Sequence, residues 1–312
     1  MQGVVIKSTG SWYVVKTEKK TINCRIKGKF RIKGIKSTNP VTVGDIVDIE
    51  IEETTENGII YNIHDRKNYI IRKSVNLSKQ THIIASNIDQ VFLLITIDNP
   101  KTFTGFIDRF LASAKAYNIP VILLFNKVDT HTKETTLDKE KLKNIYQDIG
   151  YTCLDISAIE NTNIDELKEI MKHKVSLFAG HSGVGKSTLA NAIFPELKLA
   201  TKQISTQHKQ GKHTTTFAEM FELPFGGFII DSPGIKGFGL VDFEKEEIGD
   251  YFIEFFKLKQ GCKFNNCLHI NEPKCAVKDA LEKGIIAKSR YQSYLQIING
   301  ESEHYRVVGY EF

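Results

Sequence analysis

The sequence predicts a multidomain protein: an all-β barrel of the OB type, then an α/β domain on a parallel sheet, then a mainly helical module. Three observations carry this. Short runs rich in Val, Ile and aromatic residues recur up to about residue 65. From residue 68 continuous apolar runs alternate with stretches of helical period. Near the end, three of the five cysteines fall within fourteen residues. The implied domains are 1–67, 68–240 and 241–312, and 312 residues are enough for a core in each.

The first module has strand-like runs at 4–8, 12–17, 21–26, 45–51 and 58–63. Their β-branched and aromatic content suits strands, and five short strands suit a small barrel. Charge is one-signed here: ten Lys and Arg lie between residues 1 and 36, against Glu18 alone. The longest gap, KGKFRIKGIKSTNP (27–40), holds Lys27, Lys29, Phe30, Arg31 and Lys33. Cations for phosphates beside an aromatic for a base make it the candidate RNA-binding surface.

In the second domain QVFLLITID (90–98) and VILLF (121–125) read as strands buried on both faces of a sheet. Between them Ile107, Phe110, Leu111, Ala114 and Tyr117 recur at helical spacing. Helices are expected around 138–148 and 164–173, and strands at 152–157, 175–179 and 225–231. Such alternation builds a parallel sheet. In the last module Ile248, Phe252, Phe255 and Phe256 predict one apolar helical face, and residues 277–298 a further helix. No apolar run reaches the roughly 20 residues of a membrane span. The start, MQGVVIKSTG, lacks a signal-peptide pattern. A cytoplasmic protein without membrane contact is expected, and nothing points beyond a monomer.

GHSGVGKS (180–187) fits G-x-x-x-x-G-K-[ST] without mismatch, between a predicted strand and a predicted helix. Gly180, His181, Ser182, Gly183, Val184, Gly185, Lys186, Ser187 and Thr188 would cradle phosphates. The glycines let amide N–H groups converge, Lys186 supplies charge, and the Ser187 hydroxyl ligates Mg²⁺. DSPG (231–234) follows a strand as D-x-x-G does in GTPases. Asp231 would hold Mg²⁺ through water, and the Gly234 amide would sense the γ-phosphate. NKVD, Asn126, Lys127, Val128 and Asp129, selects the base. A carboxylate at Asp129 accepts from two adjacent N–H groups of guanine, a pair adenine lacks. Ser157 and Ala158 belong to ISA (156–158), whose Ala158 amide would contact the guanine oxygen.

These motifs agree on GTP, yet the base selector precedes the phosphate loop. The order describes a circularly permuted P-loop GTPase domain, which a parallel sheet with adjacent termini tolerates. The polar stretch 203–220 must contain the first switch. One of Thr214, Thr215 or Thr216 completes the Mg²⁺ shell, and spacing does not say which. Where many GTPases place a water-orienting Gln after D-x-x-G, this chain has Ile235. Slow intrinsic hydrolysis follows, with His213 the candidate within the chain for the missing group. His213, Lys186 and Thr215 are the catalytic candidates.

Cys262, Cys267, His269 and Cys275 read C-x4-C-x-H-x5-C. Three thiolates and an imidazole close a tetrahedral Zn²⁺ site with no vacancy for substrate, so one structural zinc is expected.

Together NKVD, GHSGVGKST, KHTTT, DSPGI and C-x4-C-x-H-x5-C closely resemble the bacterial ribosome small-subunit-dependent GTPases (RsgA), across essentially the whole chain. The resemblance implies an OB fold and GTP hydrolysis stimulated by the small (30S) ribosomal subunit. It further implies a role in late maturation of that subunit, with contact to its rRNA near the decoding region. The family's histidine beside the switch threonines maps onto His213. The alternatives are an RNA-docking scaffold with incidental GTP turnover, or a permuted GTPase acting on another ribosomal RNA.

Overall fold

The computed structural model describes residues 1–27, 40–53, 55–73, 81–199, 218–231 and 243–300. The candidate residues Lys29, Phe30, Arg31, Lys33, His213, Thr214, Thr215, Thr216 and Gly234 lie outside them, as does Ile235.

The five expected barrel strands form: β1 (Gln2–Ser8), β2 (Tyr13–Lys16), β3 (Thr21–Ile26), β4 (Ile46–Ile51) and β5 (Gly58–Ile63). They run in the order β1-β2-β3-β5-β4, and antiparallel pairing of β1 with β4 closes the ring. Closure removes exposed strand edges. Alternate residues point inward, so Val5, Tyr13, Val15, Ile22, Cys24, Val47, Ile49 and Ile60 make the barrel core.

A hairpin of β6 (Tyr69–Lys73) and β7 (Thr81–Ser86) follows, an element not among the expected strands. It anchors the barrel. Asp45, fully buried, takes both arms of the Arg66 guanidinium at 2.6 Å and the Ser86 hydroxyl at 2.6 Å. A bidentate pair with its remaining oxygens satisfied is the geometry in which a buried ion pair holds.

The second domain runs β8 (Gln90–Ile95), α1 (Thr104–Ala116), β9 (Val121–Asn126), α2 (Lys133–Asp148), β10 (Thr152–Ile156), α3 (Ile164–Met171), β11 (Val175–Ala179) and α4 (Lys186–Ile193). Strands β12 (Glu219–Glu222) and β13 (Phe228–Asp231) complete it. The order is β10-β9-β8-β11-β13-β12, parallel except for β12. Along β8 the side chains alternate between two cores. Val91, Leu93 and Ile95 meet α1 and α2, while Phe92 and Leu94 meet α3 and α4. Helices on both faces explain why β8 is apolar throughout. Helix α2 begins five residues before its expected start, because Thr132 caps it through a capping box with Thr135. Strand β12, also unanticipated, pairs with β1 at Lys7↔Glu219, joining barrel and parallel sheet into one 11-stranded sheet. The Lys7–Glu219 ion pair (3.0 Å) and a Lys16–Glu222 pair straddle that seam.

The last module is α5 (Lys245–Ile248), α6 (Ile253–Leu258), α7 (Ala276–Glu282) and α8 (Lys288–Ile298). Two expectations are corrected here. Residues 277–298 form two helices, because Gly284 turns left-handed (φ +71°) and its N–H caps Leu281 O at 3.0 Å. The apolar face comprises Ile248, Phe252 and Phe255, whereas Phe256 is 50% exposed. At about 100° per residue it has already rotated away from the core.

This module is fastened to the α/β domain by buried charge. Arg290 on α8 donates to Asp108 on α1 (2.7 Å) and to both oxygens of Glu254 on α6 (2.7 and 3.0 Å), and Tyr146 on α2 donates to Asp108 (2.7 Å). Burial pushes the Asp108 carboxyl up, and the Arg290 charge opposes that shift. Removing one partner of such a set strands the other. Asp108→Ala should therefore lower unfolding stability by about 3–5 kcal/mol in denaturant titration. A loss below about 1 kcal/mol would mean that the network is incidental.

Candidate functional site

Strands β8, β9 and β10 step outward with α1 and α2 on one face. Helix α3 then crosses the other face and returns the chain to β11 beside β8. Right-handed crossovers require this change of face when the direction of winding reverses. The reversal leaves a crevice at the carboxyl ends of β8 and β11, the place where open α/β sheets bind ligands.

The loop 180–185 leaves β11 at that crevice and enters α4 at Lys186. Lys186 Nζ lies within it, donating to the carbonyls of Gly180 (2.7 Å) and His181 (3.0 Å). Gly185 has φ +98°, and a Cβ there would stand 2.6 Å from Asn126 Nδ2. Only glycine permits that approach.

Asn126 and Lys127 come from the end of β9, two strands from β11 and hence roughly 10 Å away. The buried Asn126 Nδ2 donates to Val184 O at 2.7 Å. Lys127 Nζ donates to Gly183 O at 2.8 Å and to Asn99 O, beyond β8, at 2.6 Å. Burial lowers the Lys127 pKa, with the Asp129 charge opposing it. Asp129 lies in a short 3-10 turn with Val128, and its Oδ1 accepts from the Ser157 hydroxyl at 2.5 Å. That bond joins the ends of β9 and β10, with Ala158 next in line. The candidate base and phosphate segments thus form one continuous surface. Its fit to a nucleotide rests on the Gly-rich loop 180–185 leading into the N-terminus of α4 and on Asn126 Oδ1, which is buried without a partner among the described residues.

Asp231 ends β13, the other neighbour of β11. Burial raises its pKa, the Lys186 charge pulls it down, and Glu219, opposite it on β12, pushes it further up. A carboxylate so placed gains from a cation. Ser187 and Thr188 open α4 beside it.

One contact was missed by sequence reasoning. The buried Thr102 hydroxyl, just before α1, hydrogen-bonds His181 Nε2 at 2.7 Å, and the Phe106 ring meets the imidazole edge-on. Thr102 carries no motif, so no sequence signal marked it. Through it the α1 end of the domain steadies the residue whose carbonyl holds Lys186.

In the last module Cys262, Cys267, His269 and Cys275 converge, their ligand atoms all within 4.8 Å of one another. His269 Nδ1 lies 3.3 Å from Cys275 Sγ and 3.7 Å from Cys262 Sγ. Burial lowers the His269 pKa, which favours the neutral imidazole that a metal needs. Burial also pushes the Cys267 thiol up to about 12. Thiols crowded this closely would ionise together only around a cation, and the donor set fits Zn²⁺. Glu272 accepts from the Leu268, Ile270 and Asn271 amides (2.8, 2.9 and 3.1 Å), and the Tyr291 and Tyr294 hydroxyls hold the carbonyls of His269 and Leu268. Such contacts orient ligands before metal arrives.

The chain matches the family model for the RsgA GTPase over residues 63–241 and that for the RsgA N-terminal domain over residues 2–60. It is 66% identical to the small ribosomal subunit biogenesis GTPase RsgA of Flavobacterium johnsoniae, over 98% of this chain and 95% of that protein. Identity to the protein of the same name from Christiangramia forsetii is 63%, over 100% of both. Among solved structures, YjeQ from Thermotoga maritima aligns with a TM-score of 0.79 at 35% identity, covering 96% of this chain and 97% of that one. YloQ, described as a circularly permuted GTPase, aligns with a TM-score of 0.73 at 30% identity, covering 99% and 96%.

Elemental analysis of the purified protein should find about one zinc per chain. Cys275→Ser should lose the metal and lower the melting temperature, as chelation does in small metal-held modules. Metal-free protein of unchanged stability would assign the cluster to plain packing.

Proposed function

The chain belongs to the RsgA GTPase family and is a GTP hydrolase, and from that premise we propose that it acts on the small (30S) ribosomal subunit. It assists late maturation of that subunit, which stimulates hydrolysis, and hydrolysis times its release. The relatives' names support the substrate assembly. The observation that carries the enzymatic reading is the pair of bonds from Asn126 and Lys127 to the phosphate loop.

In this reading Asp129 accepts the two N–H groups of guanine, Ser157 orients it, and the Ala158 amide meets the guanine oxygen. Asn126 and Lys127 brace the loop, with Val128 in the turn between them and Asp129. Residues 180–188 wrap the phosphates, and Lys186 neutralises charge as the terminal phosphoryl leaves. Ser187 and Asp231 would hold Mg²⁺, which would supply positive charge against the phosphates. One of the threonines 214–216, Thr215 among them, completes its shell, and the Gly234 amide senses the γ-phosphate. His213 orients the attacking water in place of the Gln that Ile235 replaces. The zinc is structural. The division at residues 67 and 240 separates a barrel that meets rRNA, through Lys27, Lys29, Phe30, Arg31 and Lys33, from the GTPase and zinc modules. No helix among the described residues is long and apolar enough to cross a membrane. We take the protein to be a cytoplasmic monomer.

GTP turnover should rise when purified small subunits are added. His213→Ala should cut the stimulated kcat by about 10²-fold or more while nucleotide binding stays within roughly twofold. A wild-type rate indifferent to subunits would favour a docking scaffold. Asp129→Asn should weaken GTP binding by about 10²-fold or more and favour xanthine nucleotides, because the amide presents a donor where guanine also donates. Unchanged GTP affinity would dismiss the base-selecting role.

A further inference from the structure

We infer that the outer face of the barrel holds a pocket for one unpaired RNA base, stacked on Tyr61 and edged by Glu50. The inference rests on the proposed rRNA docking but places it on strand residues, where the sequence pointed only to a loop.

On β5, Ile60 points into the core and Tyr61 outward, with 46% of its surface exposed. Its ring offers a flat apolar face with a polar hydroxyl at the edge, a shape suited to stacking. Beside it opens a cleft of about 450 Å³ lined by Met1, Lys27, Ile49, Glu50, Ile51 and Tyr61. That volume lies in the roughly 300–1,000 Å³ range of ligand sites. The cleft therefore combines an aromatic wall, apolar flanks, one carboxylate and two cations, Lys27 and the Met1 amino terminus, which donates to Ile49 O at 2.7 Å.

Strand β3 runs along its border. Arg25 stands opposite Ile59 of β5, and Lys27, two residues on, donates its backbone N–H to Ile60 O. Both side chains are exposed on the outer face. The Arg25 guanidinium stacks 4.0 Å above the ring of Trp12, just before β2, which places the indole beside this face. Lys7 and Lys16 are committed to Glu219 and Glu222 at the seam with β12. Arg25 and Lys27 have no carboxylate partner among the described residues, so their charge remains for phosphates.

The charges also set a polarity. Strand β4, beyond Tyr61, turns the Glu50 carboxylate outward, while Asp48 is held by Asn62 (2.8 Å) and His64 (3.0 Å). A phosphate backbone is drawn to Arg25 and Lys27 along β3, which leaves the base as the part of the nucleotide that meets Glu50. Aromatic platforms flanked by cations bind single strands in this way. The Glu50 carboxylate favours a base edge with adjacent N–H donors, which guanine has. Uracil, whose single N–H lies between two carbonyls, does not fit it.

Trp12 is the sole tryptophan, so its fluorescence reports on this face. The full-length protein is titrated with the RNA pentamers UUGUU and UUUUU. Saturable quenching is expected, with UUGUU the tighter ligand. Tyr61→Ala should weaken UUGUU about tenfold or more, Tyr61→Phe should retain it, and Glu50→Gln should erase the preference for guanine. Unaltered melting temperatures verify that the variants fold. Equal affinity of Tyr61→Ala and wild type would overturn the pocket, as would the absence of saturable quenching. Polyglutamate quenching as strong as RNA would overturn it too, since that describes a bare cationic patch open to acidic proteins. The titration uses RNA alone, so it decides the pocket whether or not small subunits stimulate the GTPase.

Discussion

Two hydrogen bonds, Asn126 Nδ2 to Val184 O and Lys127 Nζ to Gly183 O, join chain segments more than fifty positions apart. Neutral bonds of this kind contribute about 1 kcal/mol and charged ones roughly 1.5–3 kcal/mol, modest beside the domain's core. Their importance is geometric. They register the loop after β11 against the turn after β9, so both ends of a nucleotide meet a surface already in place. A ligand then need not order the loop itself, and preorganisation of that kind sets affinity more than area does. Gly185 makes the approach possible, since any side chain there would collide with Asn126.

That latch is indifferent to the order in which the segments are made. The sheet fixes β9, β8 and β11 side by side, and the permuted chain enters at β8 instead of β11. What permutation changes is what hangs on the ends. The barrel leads into β8 through the β6–β7 hairpin, and β13 leads directly toward the zinc module. Helix α1 then meets both sides of the problem. Its body holds Arg290 through Asp108, and the residues at its start touch the phosphate loop through Thr102 and Phe106. Zinc module and nucleotide site therefore share one rigid element.

Much of this was legible in the sequence, for identifiable reasons. The five barrel strands were visible through their β-branched and aromatic content, and the parallel strands through continuous apolarity in a sheet covered on both faces. The cysteine cluster was visible because a metal demands particular donors, and the structure brings all four together. Strand β12 was hidden because EMFE is short and half polar, its pairing with β1 and β13 supplying what its composition lacks. Phe256 was misjudged because hydrophobicity does not reveal where a broken helix has rotated. Thr102 and the Asp108–Arg290 pair were invisible because they depend on tertiary contacts between residues that form no motif. The switch histidine, its threonines and most of the basic loop lie outside the described residues, and their roles rest on motif and family.

Hydrogen exchange at the amides of residues 180–187, with no nucleotide present, tests the latch most directly. Asn126→Ala should speed exchange there while leaving the barrel and zinc module as protected as in the wild type. If those amides exchange no faster once the side chain is gone, the phosphate loop holds its own shape, and the account of a site built by joining two strand ends is wrong.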